Sequence, residues 1–144
     1  MSADTTWPPA ITEFERFLFS VGLQLERRDV EAAFGNKLLL YVGERLTVRV
    51  VSDRGIWFIE VTNAKGGAGN WYDAAIIRDL FGSEGEAILS LEQQISFIED
   101  NWLGINNCFG PSAWQQTSAR LSFLREERTK RRIPGFFSPP TQIN

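Results

Sequence analysis

Residues 38–61, LLLYVGERLTVRVVSDRGIWFIEV, constrain the fold of this chain more than any other stretch. Apolar side chains recur at every second position of 46–51, and a period of two predicts a strand with one buried face. The segment 56–61 is almost continuously apolar, which predicts a strand that contacts protein on both faces. The spacers at 43–44 and 52–55 have hairpin length, and each contains a glycine that can adopt positive φ. The stretch therefore predicts a three-strand antiparallel meander.

The segments around the meander predict one more strand and several helices. Leu23 and Leu25 alternate with polar residues, which favours a fourth strand at 23–27. Before the meander, a capping box at Thr12 and apolar residues at helical spacing predict a helix that ends at Gly22. After the meander we predict helices at 74–81, with Asp73 as N-cap, at 91–103, with a capping box at Ser90, and from 110–112 to a break at Pro134.

Because a sheet with one apolar face must be covered, these helices are its expected cover. The predicted fold class is α+β: an antiparallel meander of three or four strands packed by about four helices, one N-terminal and three C-terminal to the sheet. A chain of 144 residues fits a single domain spanning 1–144. Within it, residues 1–10 are expected to be an extended lead-in and residues 134–144 a tail rich in proline and phenylalanine.

Composition narrows the class of protein. The apolar share of 43% and the charged share of 23% are typical of globular proteins, and no apolar run approaches membrane-spanning length. The N-terminus lacks the basic start and apolar middle of a signal peptide. Cys108 is the single cysteine, so no internal disulfide can form, and a packed, idle thiol is expected there. We expect a cytoplasmic protein.

The absence of histidine argues against an enzyme. It removes serine–histidine and cysteine–histidine nucleophile pairs, histidine bases and most common zinc sites. The glycine-rich stretch 65–70 lacks the spacing of a phosphate-binding loop and is expected to be a surface loop. We therefore predict no catalytic residue, no metal and no cofactor, although the sequence leaves an all-carboxylate metal site, a lysine or tyrosine base, or a carboxylate dyad open.

The charge distribution is uneven along the chain. Residues 1–118 contain 9 basic and 16 acidic residues, whereas residues 119–144 contain 6 basic and 2 acidic ones. The simpler interpretation is complementarity within the molecule. The alternative is an acidic patch with exposed aromatics that binds a basic protein, such as a nuclease whose phosphate site it would block. The residues predicted to contact that partner are Arg54, Trp71, Tyr72, Glu84, Glu86, Glu92, Glu99 and Asp100.

Two other functions remain open at this point. A cleft over the sheet, lined by carboxylates such as Glu60 and Asp73, would suit a small ligand or a reaction. The basic residues of the last helix would suit nucleic acid, although helical spacing spreads them around the cylinder and the overall acidity opposes phosphate binding. These basic residues are Arg120, Arg125, Arg128, Lys130, Arg131 and Arg132.

Three segments carry a resemblance to known proteins: RVVSDRGIWF at 49–58, WYD at 71–73 and REERTKR at 125–131. With the N-terminal helix, this pattern resembles small uncharacterised bacterial proteins of the immunity type encoded beside polymorphic toxins. The resemblance spans roughly residues 11–132, and its motifs are a turn, a cap and a helix, so it transfers no functional residue. It implies a bacterial cytoplasmic binding protein, and with it a protein–protein interaction module rather than an enzyme.

Overall fold

The computed structural model describes residues 7–31, 35–63, 70–82 and 89–132, with side chains to Lys130. Within these ranges the chain is α+β, with five helices and one open five-strand antiparallel sheet in the order β1-β2-β3-β4-β5. The elements are α1 (Pro9–Ser20), β1 (Gln24–Val30), β2 (Lys37–Val42), β3 (Leu46–Asp53), β4 (Ile56–Asn63), β5 (Tyr72–Asp73), α2 (Ala74–Leu80), α3 (Leu91–Asp100), α4 (Trp102–Cys108) and α5 (Trp114–Arg132). The predicted fold class is confirmed, and one strand and one helix were missed.

The central meander forms as the sequence predicts. β2 pairs with β3 and β3 with β4, both antiparallel and without register shifts. The β3–β4 connection is a two-residue turn in which Arg54 has φ 54° and Gly55 has φ 83°. Positive φ at both central residues defines the type I′ turn, whose twist matches that of the flanking strands.

The outer strands differ from the prediction in extent. The expected fourth strand is confirmed as β1, which continues to Val30 and contains an irregularity between Leu25 and Arg27. β5 was not predicted, because two residues carry no readable alternation. It pairs only with Glu60 and Val61, so the first half of β4 has no neighbouring strand on that side among the described residues.

The sheet has two distinct faces, which the register assigns. On one face Leu39, Tyr41, Val48, Val50 and Ile59 are buried and belong to the main hydrophobic core. Ile11, Phe14 and Leu18 of α1 complete that core together with apolar residues of α2, α3, α4 and α5. Burying each such side chain stabilises the fold by about 1.5–3 kcal/mol. We call the opposite side the open face.

Helix α1 starts earlier than its capping motif predicts. It begins at Pro9, and Thr12 lies inside the helix with no side-chain cap at the N-cap residue, Pro8. Proline suits the first turn because its missing N–H would have had no partner there. Pro9 and Ala10 of the expected lead-in are therefore helical, and its residues 1–6 lie outside the described residues, as does the expected tail at 134–144.

The predicted helix at 91–103 is two helices. Its capping box at Ser90 is confirmed, but Asn101 has φ −114° and ψ 21° and separates α3 from α4. The Asn101 side chain donates to the Phe97 carbonyl oxygen at 2.9 Å, an interaction that competes with helical geometry. Apolar residues keep their spacing across the break, which explains why the sequence pattern did not reveal it.

The Gln94 side chain closes the sheet edge that β5 leaves uncovered. Its Oε1 accepts from the Ile59 backbone N–H at 2.7 Å, and its Nε2 donates to the Trp57 carbonyl oxygen at 3.0 Å. Gln94 is 5% exposed. One side chain of α3 thus replaces the hydrogen bonds of a missing strand, because buried backbone groups need partners.

A buried ion pair ties α2 to α5. Arg128 Nη2 lies 2.6 Å from Asp79 Oδ2, and both side chains are less than 10% exposed. Removing one partner of such a pair costs about 3–5 kcal/mol because it leaves an uncompensated buried charge. The contact fixes the C-terminal half of α5 against the body of the protein.

Candidate interaction surface

Three carboxylates from two helices lie together on the outside of the helical layer. Glu13 of α1 and Asp100 of α3 are exposed, and Glu99 of α3 is partly buried beside them. Burial raises the pKa of the Glu99 carboxyl, and the neighbouring charges of Asp100 and then Glu13 raise it further. The proximity of these groups therefore disfavours the charged form of Glu99.

Within the described residues, none of these three carboxylates forms an ion pair or a hydrogen bond. By contrast, Glu15, Asp29, Glu60 and Asp79 each have an arginine within 3.4 Å. Glu99 and Asp100 are also the last two residues of α3, where the helix dipole disfavours negative charge. As far as the described part of the chain is concerned, the cluster is thus electrostatically unfavourable without a partner.

An exposed leucine lies next to this cluster. Leu103 of α4 is 79% exposed, the largest exposed fraction among the large apolar side chains that the structure describes. It is three residues from Asp100, so the two Cα atoms are at most about 11 Å apart. Glu92 lies two turns before Glu99 on the same side of α3. We call Glu13, Glu92, Glu99, Asp100 and Leu103 the acidic face.

Sequence reasoning identified three of the five residues of the acidic face and missed Glu13 and Leu103. Glu13 was assigned to the outer side of α1, but its proximity to Glu99 depends on how α1 packs beside α3. Leu103 lies off the apolar stripe that steps through residues 91, 95, 98, 102 and 105. That departure was the available signal of an exposed leucine.

Arg54 occupies a different part of the molecule. It lies at the tip of the β3–β4 hairpin with its side chain 84% exposed, 3.9 Å from the Asp53 carboxylate. Its backbone N–H donates to Asn36 Oδ1 at 2.9 Å, which anchors the turn. One interpretation of the sequence placed Arg54 exposed at the hairpin tip, and the structure has it there. The tip belongs to the sheet and not to the helical layer.

The expectation that Trp71 and Tyr72 form an exposed pair is wrong for Tyr72. Tyr72 is 2% exposed, and its hydroxyl lies 3.1 Å from Ser122 Oγ. Trp71 is partly buried on the open face under the Arg49 guanidinium, at 4.3 Å from the ring centroid. Trp71 immediately precedes β5 and lies on the open face, whereas Tyr72 is the first residue of β5 and points into the core.

The remaining predicted contact residues divide into two groups. Glu92, Glu99 and Asp100 share α3, and the last two approach each other and Glu13. Glu84 and Glu86 lie outside the described residues. The structure thus brings three of the predicted acids onto one helix and places Arg54 and Trp71 on the sheet.

The carboxylates of the alternative cleft are engaged in structural contacts. Glu60 and Asp73 are register neighbours on β4 and β5. Glu60 Oε1 accepts from Arg49 Nε at 2.6 Å, and Asp73 Oδ1 accepts from the Ile76 backbone N–H as the N-cap of α2. No group of three or more histidine, cysteine, aspartate or glutamate side chains in the described ranges could hold a metal ion.

The basic residues of α5 do not form one continuous outer surface. Arg128 is buried against Asp79, and Arg125 stacks on Tyr72 while donating to the Trp71 carbonyl oxygen. Arg120 lies over Phe123, and Lys130 pairs with Glu127 at 3.6 Å. The side chains of Arg131 and Arg132 lie outside the described part of the chain. Two of the six predicted phosphate contacts therefore face inward.

A polar cleft of about 540 Å³ opens at one end of the sheet. Two turns and α4 line it, and its polar side chains are Gln24, Glu44, Arg45 and Asn106. Gly110 allows the Arg45 guanidinium to lie close, since a Cβ there would be 2.9 Å from Arg45 Nε. None of the residues singled out from the sequence as contact or cleft residues lines this cleft.

Cys108 is partly buried, and burial raises the pKa of its thiol, which fits the idle thiol expected from the sequence.

None of the helices in the described ranges is both long and apolar enough to cross a membrane. Comparison with protein-family models, with curated proteins and with solved structures gives no match for this chain.

Proposed function

We propose that this chain is a non-enzymatic protein–protein interaction module that binds a basic partner protein through the acidic face. The supporting observation is the cluster of Glu13, Glu99 and Asp100, which has no ion-pair partner among the described residues. A lysine or arginine of a partner would relieve the repulsion within the cluster and favour the charged form of Glu99. Relief of this repulsion therefore adds a favourable term to the binding free energy.

The acidic face has the general layout of a protein interface. Leu103 supplies an exposed apolar contact, and the carboxylates supply a charged rim beside it. Charged rims accelerate association and select the sign of the partner, whereas apolar contacts slow dissociation. A neutral or acidic partner would gain nothing from this rim.

In its most specific form, the proposal is that the chain is an immunity protein and that its partner is a bacterial toxin domain. The resemblance to immunity proteins supports this form, as does the chemistry of nucleases, whose phosphate-binding surfaces are basic. An acidic face that covers such a surface would block the substrate by occupying the phosphate site. No catalytic step by this chain is required.

The test uses wild type and two triple variants as baits in lysate of the source cells. The face variant, Glu13→Gln/Glu99→Gln/Asp100→Asn, removes three charges from the cluster. The matched control, Glu26→Gln/Glu44→Gln/Glu126→Gln, removes three exposed carboxylates that also lack ion pairs within the described residues. Both change the net charge equally, so a difference between them reports position and not total charge.

We expect wild type and the control to capture one stoichiometric basic protein that the face variant does not retain at moderate salt. If the face variant captures the same protein as wild type, the acidic face is not the binding surface. If nucleic acid is recovered instead, with binding that weakens steeply with salt, the α5 alternative replaces this proposal.

A further inference from the structure

The open face carries an apolar patch that the main core does not use. The register places Leu38 opposite Val51 and Val51 opposite Phe58, so their side chains point to the same side. Leu40 and Ile56 belong to the same side by the period of two. We call Leu38, Leu40, Val51, Ile56 and Phe58 the apolar patch.

The apolar patch lies outside the hydrophobic core. None of its five residues is in the core cluster or among the partly buried residues packed against that cluster. Ile56 is 58% exposed and Phe58 38% exposed. At the other end of the open face Thr47 and Thr62 are buried, so the exposed part is the half towards the β3–β4 hairpin. The solvent side of an antiparallel sheet normally carries polar residues, and here three adjacent strands depart from that rule.

The charges around the apolar patch are paired within the chain. Arg27 and Asp29 on β1 are 2.6 Å apart, and so are Arg49 and Glu60 on β3 and β4. Arg54 and Asp53 at the hairpin tip are 3.9 Å apart. Among the described residues, three bases and three acids therefore surround the patch and sum to zero charge, although the whole chain carries a net charge of −3. A strongly charged partner would find no complementary field there.

We propose that the apolar patch is a self-association surface, on which a second copy of this chain packs sheet to sheet. A neutral, apolar surface is the place where two acidic copies can meet without net repulsion. A two-fold axis between the sheets and parallel to the strands places β1 of one copy over the β4 side of the other. Each apolar patch then meets its own copy, and each rim of paired charges meets another such rim.

The size of the surface sets the expected strength of this dimer. The three strands of the patch, spaced about 4.8 Å apart, over about six residues of 3.4 Å, give a footprint of roughly 300 Å² per copy. Stable dimers bury about 800 Å² per copy, so the dimer is expected to be weak, with a dissociation constant of roughly 10–500 µM. The acidic face lies on the helical side, away from this contact, so dimerisation leaves it accessible.

Sedimentation equilibrium of the full chain from about 10 µM to about 1 mM tests the proposal across that range. The weight-average mass of wild type should rise from 16.3 kDa towards twice that value. Phe58→Thr keeps a good strand residue and should weaken dimerisation at least tenfold. Val51→Thr, a smaller change in the same patch, should weaken it less but in the same direction. Phe123→Gln removes a comparably exposed phenylalanine from α5 and should change it less than twofold.

The outcomes that overturn the proposal are distinct from those that support it. Wild type that stays at 16.3 kDa up to about 1 mM contradicts it, and so does equal weakening by Phe58→Thr and Phe123→Gln. If the variant Phe136→Ser/Phe137→Ser dimerises and wild type does not, the proposal is contradicted for the native chain. Residues 133–144 would then be the segment that covers the apolar patch. No partner protein enters the measurement, so its result is independent of the proposed function.

Discussion

Arg54 combines an unfavourable backbone conformation with an exposed side chain. A non-glycine residue at φ 54° is disfavoured, because its Cβ approaches the following carbonyl oxygen. Asparagine and glycine are the residues that type I′ turns prefer at this position. The arginine held there has a side chain that is 84% exposed, and its contact with a partner stays a prediction from the sequence.

Arg54→Asn should raise the free energy of unfolding by about 0.5–1 kcal/mol, because asparagine tolerates the left-handed conformation. The bond from the backbone N–H to Asn36 Oδ1 is kept in the variant. Urea unfolding measures the change. An unchanged or lower stability would mean that the turn imposes no strain on Arg54.

Glu99 makes a prediction about pH. Its pKa in the folded chain lies above the unfolded value, so the folded state binds the proton more tightly. The contribution of Glu99 to stability is therefore greatest below about pH 4 and falls as pH rises through the interval above it. Glu99→Gln removes this loss and should raise the free energy of unfolding at pH 7 by a few tenths to about 1 kcal/mol. Below about pH 4 the variant should match wild type.

Glu92→Gln is the matched control for Glu99→Gln. Glu92 lies in the first turn of the same helix, where the dipole favours a carboxylate. Its removal should lower stability at pH 7 by a few tenths of a kcal/mol. The charged groups near Glu99 are Asp100 on its own helix and Glu13 on α1. Helix α1 also carries Arg16, one turn after Glu13. Equal effects of both variants would contradict the electrostatic cost assigned to the cluster.

At the scale of elements, Gln94 links α3 to β4 and sets the edge of the sheet. Gln94→Leu leaves the Ile59 N–H and the Trp57 carbonyl without their side-chain partner, which should cost about 2–4 kcal/mol. Gln116→Leu, at an exposed position of α5, should change stability by less than about 0.5 kcal/mol. Chemical denaturation of both variants checks this. A loss for Gln94→Leu no larger than for Gln116→Leu would show that the edge does not depend on the amide.

Elements with local signals were predicted from the sequence, and those set by tertiary contacts were not. Asp73 and Ser90 start helices where their side chains predict, since an N-cap needs only residues three positions away. β5 was missed because its two residues form a strand only through pairing with β4. The break at Asn101 was missed because the apolar spacing continues through it.

The candidate site was predicted only in part for the same reason. The acids of α3 could be recognised as an acidic stretch, but their meeting with Glu13 depends on helix packing. Tyr72 and Trp71 were treated as one aromatic pair, but Tyr72 lies in the core and Trp71 on the open face beside Arg49. The basic character of α5 was visible, whereas the inward turn of Arg128 towards Asp79 was not.

At the scale of the whole molecule, the two proposed surfaces lie on opposite sides of one sheet. The helical layer carries the acidic face, and the open face carries a neutral apolar patch. The core between them is continuous, so neither surface is needed to complete it. This separation predicts that self-association and partner binding do not exclude each other.

The most direct test of the central claim is the affinity of the captured partner for wild type, the face variant and the matched control at low salt. The face variant should bind about 10- to 100-fold more weakly, since three carboxylates lose their cationic partners. The control should bind within about threefold of wild type, because its charges act only through the screened long-range field. Equal losses in the two variants would show that total charge, and not the acidic face, governs binding.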